Sequence, residues 1–393
     1  MMVGKSERTD NLNQPRQLVA LTNIPTPYRT AFYDELAVQC ESLGGRLAVL
    51  YCSESEPDRH WPVNSDSFRH THEFLPGRSL RFRDITFHFN VSVASRIAHY
   101  QPSVLLCAGA WNMPTSLLAN SRLPKDVRSV FWSEGHSAAV RNPRGPVAWL
   151  RRQVLGGFDC FAVPNQRSAE WLESELRRPV RTIRLPNTVK EEDYQLPSES
   201  DRVEEKKRLG IDRFGCVLVQ VSRMENRKGV IELCRSFCSL PQQETEPQAL
   251  VLIGEGSKVD ELRAIAGSAP QNRTIIFTGS LDGSDVASWL RASDWFVLNS
   301  MVDPNPLTPI EASFCGTPLI LSKRAGNHGE LICDGAAGIS IDSPVDPTAA
   351  LVAATRMDAA TRARMGARAR QNACRHFTRK EAAARFAAEV FQP

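Results

Sequence analysis

Several absences limit what this sequence can be before any motif is considered. Its ten cysteines form no Cys-x-x-Cys pair, and no charged-then-apolar leader stands ahead of the patterned part. A disulfide framework and export are therefore not indicated, and reduced thiols in a cytosol are expected. No uncharged apolar stretch approaches the roughly 20 residues needed to cross a bilayer, so any membrane contact should be peripheral. The charge balance, 48 basic against 44 acidic residues, is too even to argue for a nucleic-acid partner. No internal repeat of about 20–50 residues is present.

What is present is a chain of 393 residues, 42% of them apolar, enough for a large core and for two domains. Short apolar runs recur: "QLVALT", "LAVLYC", "SVLLCAGA", "RSVFWS" and "CFAVP", then "CVLVQVS", "ALVLIG", "TIIFTG", "DWFVLN" and "PLILS". Between most of them lie helical segments such as "PYRTAFYDELAVQ", "RSAEWLESELR" and "VDELRAIAG". Strands alternating with helices imply parallel sheets covered on both faces, whose buried strands read as continuous apolar runs. The charged, proline-bearing stretch at 185–211 reads as an interdomain connection. The expected organisation is a mobile tail at 1–16, Rossmann-like domains at 17–195 and 196–375, and a C-terminal helix at 376–393 returning to the first domain.

The chemistry gathers in the second half. "LVQVSRMENRKGVIEL" sets Arg223 and Lys228 where a strand hands over to a helix. The carboxyl end of a parallel strand opens onto the crevice where such sheets bind ligands. There an arginine fork, a lysine point charge and a helix amino terminus can together hold a diphosphate. The plain alternative is a pair of solvated surface charges. "LIGEGSKVDEL" repeats the design, with Gly254 and Gly256 after a strand. They either admit a ligand close to the backbone or merely shape a turn.

The most specific stretch is "WFVLNSMVDPNPLTPIEASFCGTPLILS", in which Asp303 and Glu311 flank seven residues. Here the chain resembles glycosyltransferase family 4, whose element is Glu-x7-Glu followed by Gly-x-Pro and a strand. Arg223, Lys228 and "LIGEGSKVDEL" resemble further segments of that family, as do "NIPTPYRTAFYDELA", "VFWSEGHSAA" and "AGNHGELICDGAAGISI". The likeness runs over roughly residues 17–391.

The resemblance implies a GT-B fold, two doubly wound α/β domains facing across a cleft, and a retaining transferase whose donor is a nucleoside-diphosphate sugar. It implies that Arg223 and Lys228 take the diphosphate, Glu311 the ribose hydroxyls and Asp303 the hydroxyls of the sugar. Gly254, Gly256, Asn305, Leu307 and Thr308 would line the donor site. His136 is the expected donor-sugar contact and Glu134 the second choice, although both could simply cap the following turn. Arg29, in the loop after the first strand, would border the acceptor side. Two departures stand out: Asp303 is shorter than the usual glutamate, and "PNPLT" replaces a glycine-rich segment, so Pro304 and Pro306 remove two backbone donors.

No Asp-x-Asp occurs, so protein cations are expected to act in place of a metal, and no cofactor is expected. A metal pair at His70 and His72 is the less favoured reading of those histidines. "VRNPRGPVAWLRRQVL" sets Arg141, Arg144, Arg151 and Arg152 beside Trp149 and Leu150, either a solvated helix face or a rest on anionic lipid. The expected partners are the donor and a glycan, lipid-linked or small-molecule acceptor, at a cytoplasmic site on or near the inner face of the cell membrane. The alternatives are a catalytically silent GT-B protein that binds a nucleotide sugar or a partner, and a nucleotide-sugar epimerase.

Overall fold

The computed structural model of the chain describes residues 16–56, 64–82, 85–137, 140, 142–241 and 246–392. The expected mobile tail lies outside these except for Arg16, and so does Arg141 of the basic patch. Backbone contacts divide the chain into two compact units. The first holds Met1–Phe131, Gly157–Asp159 and Ala387–Pro393, and the second holds Trp132–Gly156 and Cys160–Phe386. The charged connection at 185–211 falls inside the second unit. It contains the helix Glu199–Arg208, started by a reciprocal capping box between Ser198 and Asp201, which satisfies two backbone donors that a helix start would otherwise leave open.

In the first unit the strands are β1 (Arg16–Thr22), β2 (Gly45–Tyr51), β3 (Thr71–Phe74), β4 (Arg78–Phe82), β5 (Ile85–Phe89), β6 (Val104–Ala108) and β7 (Arg128–Trp132). They lie in the order β3-β2-β1-β6-β7 apart from β4 and β5, which form a separate antiparallel hairpin. β1 pairs in parallel with β2 and β6, and Leu18, Val19, Ala20 and Leu21 are fully buried. Pro27 opens the helix Pro27–Ser42 behind β1, a position where its missing N–H costs nothing. The end of the chain packs here too: Arg128 Nη1 donates to Val390 O at 3.2 Å. The Phe391 ring lies so close to Gly45 that a Cβ there would meet it at 2.8 Å.

In the second unit β8 (Cys160–Val163) pairs with β9 (Thr182–Arg184). The larger sheet of this unit contains β10 (Cys216–Val221), β11 (Gln248–Ile253), β12 (Arg273–Gly279), β13 (Trp295–Leu298), β14 (Leu319–Ser322) and β15 (Gly338–Ile341). Its order is β12-β11-β10-β13-β14-β15, with every pair parallel. Alternate residues of one strand enter opposite cores: Val217, Val219, Phe296 and Leu298 join one cluster, and Leu218, Trp295 and Val297 join the other. That double burial makes the apolar runs continuous rather than alternating. Each such side chain contributes roughly 1.5–3 kcal/mol of transfer free energy.

Candidate functional site

The chain leaves β10 towards β11 on one side of the sheet and leaves β13 towards β14 on the other. The crevice between the carboxyl ends of β10 and β13 is therefore the topological switch point, where open α/β sheets bind ligands. Arg223 and Lys228 follow β10, and Asp303 follows β13.

After β10 the backbone is laid across the glycine turn that follows β11. Ser222 N donates to Ile253 O at 3.0 Å, Met224 N to Glu255 O at 2.8 Å, and Lys258 N to Met224 O at 3.0 Å. A Cβ on Gly254 would come within 2.1 Å of Ser222 O, and one on Gly256 within 2.4 Å of Met224 O. The two glycines thus serve the approach of the chain's own backbone, and Gly254 also holds φ at 130°, where side chains are strained. Of the two readings offered by the sequence, the geometric one accounts for them. They nonetheless line a pocket of about 520 Å³, whose other walls include Arg223, Leu281, Val286 and Thr308.

The two cations sit in unlike surroundings. Arg223 is 71% exposed, with its Nε 3.0 Å from Glu225. Glu225 also receives Arg227 Nε at 2.8 Å, and that bond, with the nearby cations, holds its carboxyl below the usual range. Lys228 is only 13% exposed and donates to the Asp303 carboxylate. The sequence suggests that a helix opens at Lys228-Gly229; instead a single 3-10 turn, Asn226–Lys228, precedes the helix Val230–Cys238. Gly229 joins them at φ 62°, and a Cβ there would strike Asn299 O at 2.1 Å. Asn299 Nδ2 donates to Gly229 O at 2.9 Å and Pro344 O at 2.8 Å, which fastens the turn carrying Lys228 to the end of β13.

The proline-bearing loop after Asp303 is held through its carbonyls. Asp303 O accepts from Gly326 N at 2.8 Å, Pro304 O from Asn165 Nδ2 at 2.9 Å and Pro306 O from Asn327 Nδ2 at 2.9 Å. Gly326 passes so near that a Cβ would meet Pro304 O at 1.7 Å. Leu307 packs on the core, Thr308 begins the helix Thr308–Phe314, and Asn305 Nδ2 is buried with no hydrogen-bond partner. On that helix the half-buried Glu311 has the Tyr194 hydroxyl beside it, which favours its ionised form. Burial nevertheless pushes its carboxyl up to about 7. Tyr194, 7% exposed, has its own hydroxyl pushed upward by burial and by the Glu311 charge.

The remaining predicted residues lie apart from that pocket's walls. His136 is buried, and burial, followed by the charge of Arg167, lowers its pKa. Glu134 is exposed two residues earlier. Arg29 belongs to the first unit, on the helix behind β1, where its charge favours ionised Tyr33 against a larger burial effect.

The basic patch is corrected by helical geometry. Arg151 is 4% exposed and pairs with Glu175 at 2.9 Å. Positions 148, 151 and 155 form the buried face of the helix Pro146–Gly156, whereas Val147, Trp149 and Leu150 stay exposed. His70 is occupied by Asp34 at 2.6 Å and the Tyr51 hydroxyl at 3.0 Å. Among the described residues no group of three or more His, Cys, Asp or Glu is placed to hold a metal, and no helix is long and apolar enough to cross a membrane.

Sequence reasoning missed Tyr194, Glu225, Asn165 and Asn327. The "DY" within the connection offered no sign that its tyrosine reaches Glu311, since the two residues stand more than a hundred positions apart.

Residues 201–372 match the family described as "Glycosyl transferases group 1". A glycogen synthase of Mycobacterium tuberculosis is 36% identical over 141 residues, 35% of this chain and 33% of that protein. An alpha-monoglucosyldiacylglycerol synthase of Streptococcus pneumoniae is 25% identical over 176 residues, 44% of this chain and 40% of that protein. The chain thus matches less than half the length of either relative. Among solved structures, Anabaena HepE in complex with UDP superposes with a TM-score of 0.72 at 15% identity, covering 95% of this chain and 99% of that one. The fold is GT-B, as its sequence resemblance implies.

Proposed function

We propose that the chain is a retaining glycosyltransferase of the family 4 type that moves a sugar from a nucleoside-diphosphate donor without a metal. The observation that carries this reading is the switch-point pocket, with Arg223 on its wall and the Lys228–Asp303 pair held at the end of the neighbouring strand. HepE, whose fold this chain shares, is solved in complex with UDP, which supports a nucleotide-linked donor.

In this reading the nucleoside occupies the pocket beside Gly254, Leu281 and Val286. Glu311 accepts the two ribose hydroxyls, a task suited to a carboxylate with two oxygens. Arg223 and Lys228 take the diphosphate, and Asp303 takes hydroxyls of the sugar. As the glycosidic bond breaks, negative charge grows on the leaving phosphate, and cations already fixed in place stabilise it without reorganising. Donor binding therefore exchanges partners: Arg223 swings from Glu225 to phosphate, and Lys228 becomes shared between Asp303 and phosphate. His136, kept neutral by its lowered pKa, meets the donor sugar as a hydrogen-bonding group. Attack comes from the same face, with the acceptor hydroxyl assisted by the leaving phosphate, and no protein nucleophile is assigned. The acceptor is a glycan, a lipid-linked chain or a small molecule in bacterial polysaccharide or glycoconjugate synthesis, on the cytoplasmic side of the cell membrane.

Nucleotide release measured over a panel of donors and acceptors tests the proposal. Tight nucleotide binding with no turnover would instead make the chain a binding protein, a reading favoured by Pro304 and Pro306 in the donor loop. Donor turnover without any acceptor would make it an epimerase.

A further inference from the structure

Another cavity of the second unit, about 270 Å³ in volume, shares no lining residue with the switch-point pocket. Arg184, Glu330, Asn372, His376 and Arg385 line it, together with the buried Phe377. They come from elements far apart in sequence. Arg184 ends β9, Glu330 lies on the short helix His328–Ile332, Asn372 and His376 on the last turns of the helix Ala359–His376, and Arg385 on the helix Arg379–Val390.

The one carboxylate among these lining residues is already engaged. Glu330 Oε1 accepts from Arg184 Nη2 and, at 2.8 Å, from Gln166 N. Its backbone O accepts from Asn372 Nδ2 at 2.7 Å. Arg385 and His376 are half-buried, yet among the described residues neither has a hydrogen-bond or ion-pair partner. Two guanidinium groups against one carboxylate leave the wall with one positive charge in excess. His376 registers it: burial first, then the charges of Arg385, Arg375 and Arg184, lower its pKa, with Glu381 opposing them in part.

A guanidinium drawn partly out of water beside a second one, with no anion of its own, is unfavourable unless something else compensates it. A planar fork of N–H donors fits the oxygens of a phosphate group two at a time. Donors arriving from several elements suit a tetrahedral anion better than a flat carboxylate, and a neutral imidazole can donate as well. We propose that this cavity binds a small phosphate-bearing anion, inorganic phosphate or a compact phosphate monoester, between Arg184 and Arg385, with His376 as a further hydrogen-bonding group. The inference does not depend on the transferase reading.

The test is calorimetric titration of the full chain with inorganic phosphate and with glycerol 2-phosphate, at fixed ionic strength so that screening is constant. Wild type should bind both; tighter binding of the ester would assign a phosphorylated metabolite, and equal binding would assign free phosphate. Arg385→Gln should weaken binding roughly tenfold or more, and Arg385→Lys by a smaller factor, because a point charge replaces the fork. In Arg223→Gln, altered at the proposed donor site, the binding that depends on Arg385 should persist. Since Arg385 has no partner to lose, Arg385→Gln should melt no earlier than wild type when phosphate is absent. If it does melt early, Arg385→Lys and His376→Gln carry the test, each with weaker binding expected. The proposal is overturned if wild type binds neither anion, or if the Arg385 and His376 variants bind as wild type does. It is also overturned if binding is lost through Arg223→Gln and not through Arg385→Gln, which would place the anion at the switch point instead.

Discussion

The two cations that follow β10 are five residues apart in sequence yet are held in opposite ways. Arg223 lies 71% exposed against Glu225, where a pair exchanges freely with water and contributes about 0–1 kcal/mol. Lys228 is packed against Asp303, both largely buried, where removing one partner strands the other charge in a poor solvent. The contrast separates two tasks that one motif had joined. One cation can travel to a ligand, and the other is placed before the ligand arrives.

Breaking the buried side should have the largest effect. Lys228→Ala should lower turnover more than a hundredfold, roughly 3 kcal/mol of transition-state stabilisation, and should also lower the melting temperature. Restoring the melting temperature through the double variant Lys228→Ala/Asp303→Ala, with turnover still lost, would separate the two losses. Unchanged turnover in steady-state assays would remove the diphosphate role.

Arg223→Lys should cost less, about tenfold in kcat/KM, because a fork is replaced by a point charge on an arm already free to move. Melting should stay as it is. A loss as large as that of Lys228→Ala would mean that the exposure of Arg223 says nothing about how firmly a ligand holds it.

Glu311 sharpens the comparison from the side of a carboxylate with no cation. Burial pushes its carboxyl up to about 7 against an ordinary 4.5, so the folded chain holds this proton more tightly than the unfolded chain does. The group's contribution to stability is then greatest below the ordinary value and declines as pH rises from there towards 7. Ribose hydroxyls donate to the ionised form, so nucleoside affinity should move the opposite way, rising through about pH 7 and levelling off above it. Calorimetry with a nucleoside, which has no phosphate to titrate, reads this directly. A flat profile, or one unchanged in Glu311→Gln, would count against the ribose role.

The smallest change expected is from Glu225→Gln. Freeing Arg223 from its resting partner should tighten nucleoside-diphosphate binding by about twofold to threefold, within the usual worth of an exposed pair. Weaker binding in the same titration would show that Glu225 orients the arginine rather than detaining it.

Much of the second unit was legible because its strands are buried on both faces: "CVLVQVS", "ALVLIG" and "DWFVLN" could hardly be anything but central parallel strands. The first unit was read less completely. "RSLRF" and "ITFHF" alternate with period two and are β4 and β5, yet no hairpin was drawn from them. The register sets Leu80, Phe82 and Phe89 on one face and Ser79 and His88 on the other, and it is the apolar residues that are exposed and His88 that is fully buried, so the usual contrast between faces is reversed. Arg151 of the basic patch was misplaced for another reason: composition grouped it with the solvated arginines, while helical periodicity set it on the buried face with Ala148 and Leu155.

The sequence by itself determined the alternation of strands and helices, the spacing of Arg223 and Lys228, and the seven residues between Asp303 and Glu311, because those are properties of neighbours along the chain. Only the tertiary structure decided that Lys228 meets Asp303, that Tyr194 reaches Glu311, and that Asn165 and Asn327 hold the proline loop by its carbonyls. Each of those contacts closes a long loop whose ends are brought together by sheet order, and sheet order is fixed by the packing of whole strands rather than by any stretch that can be read alone.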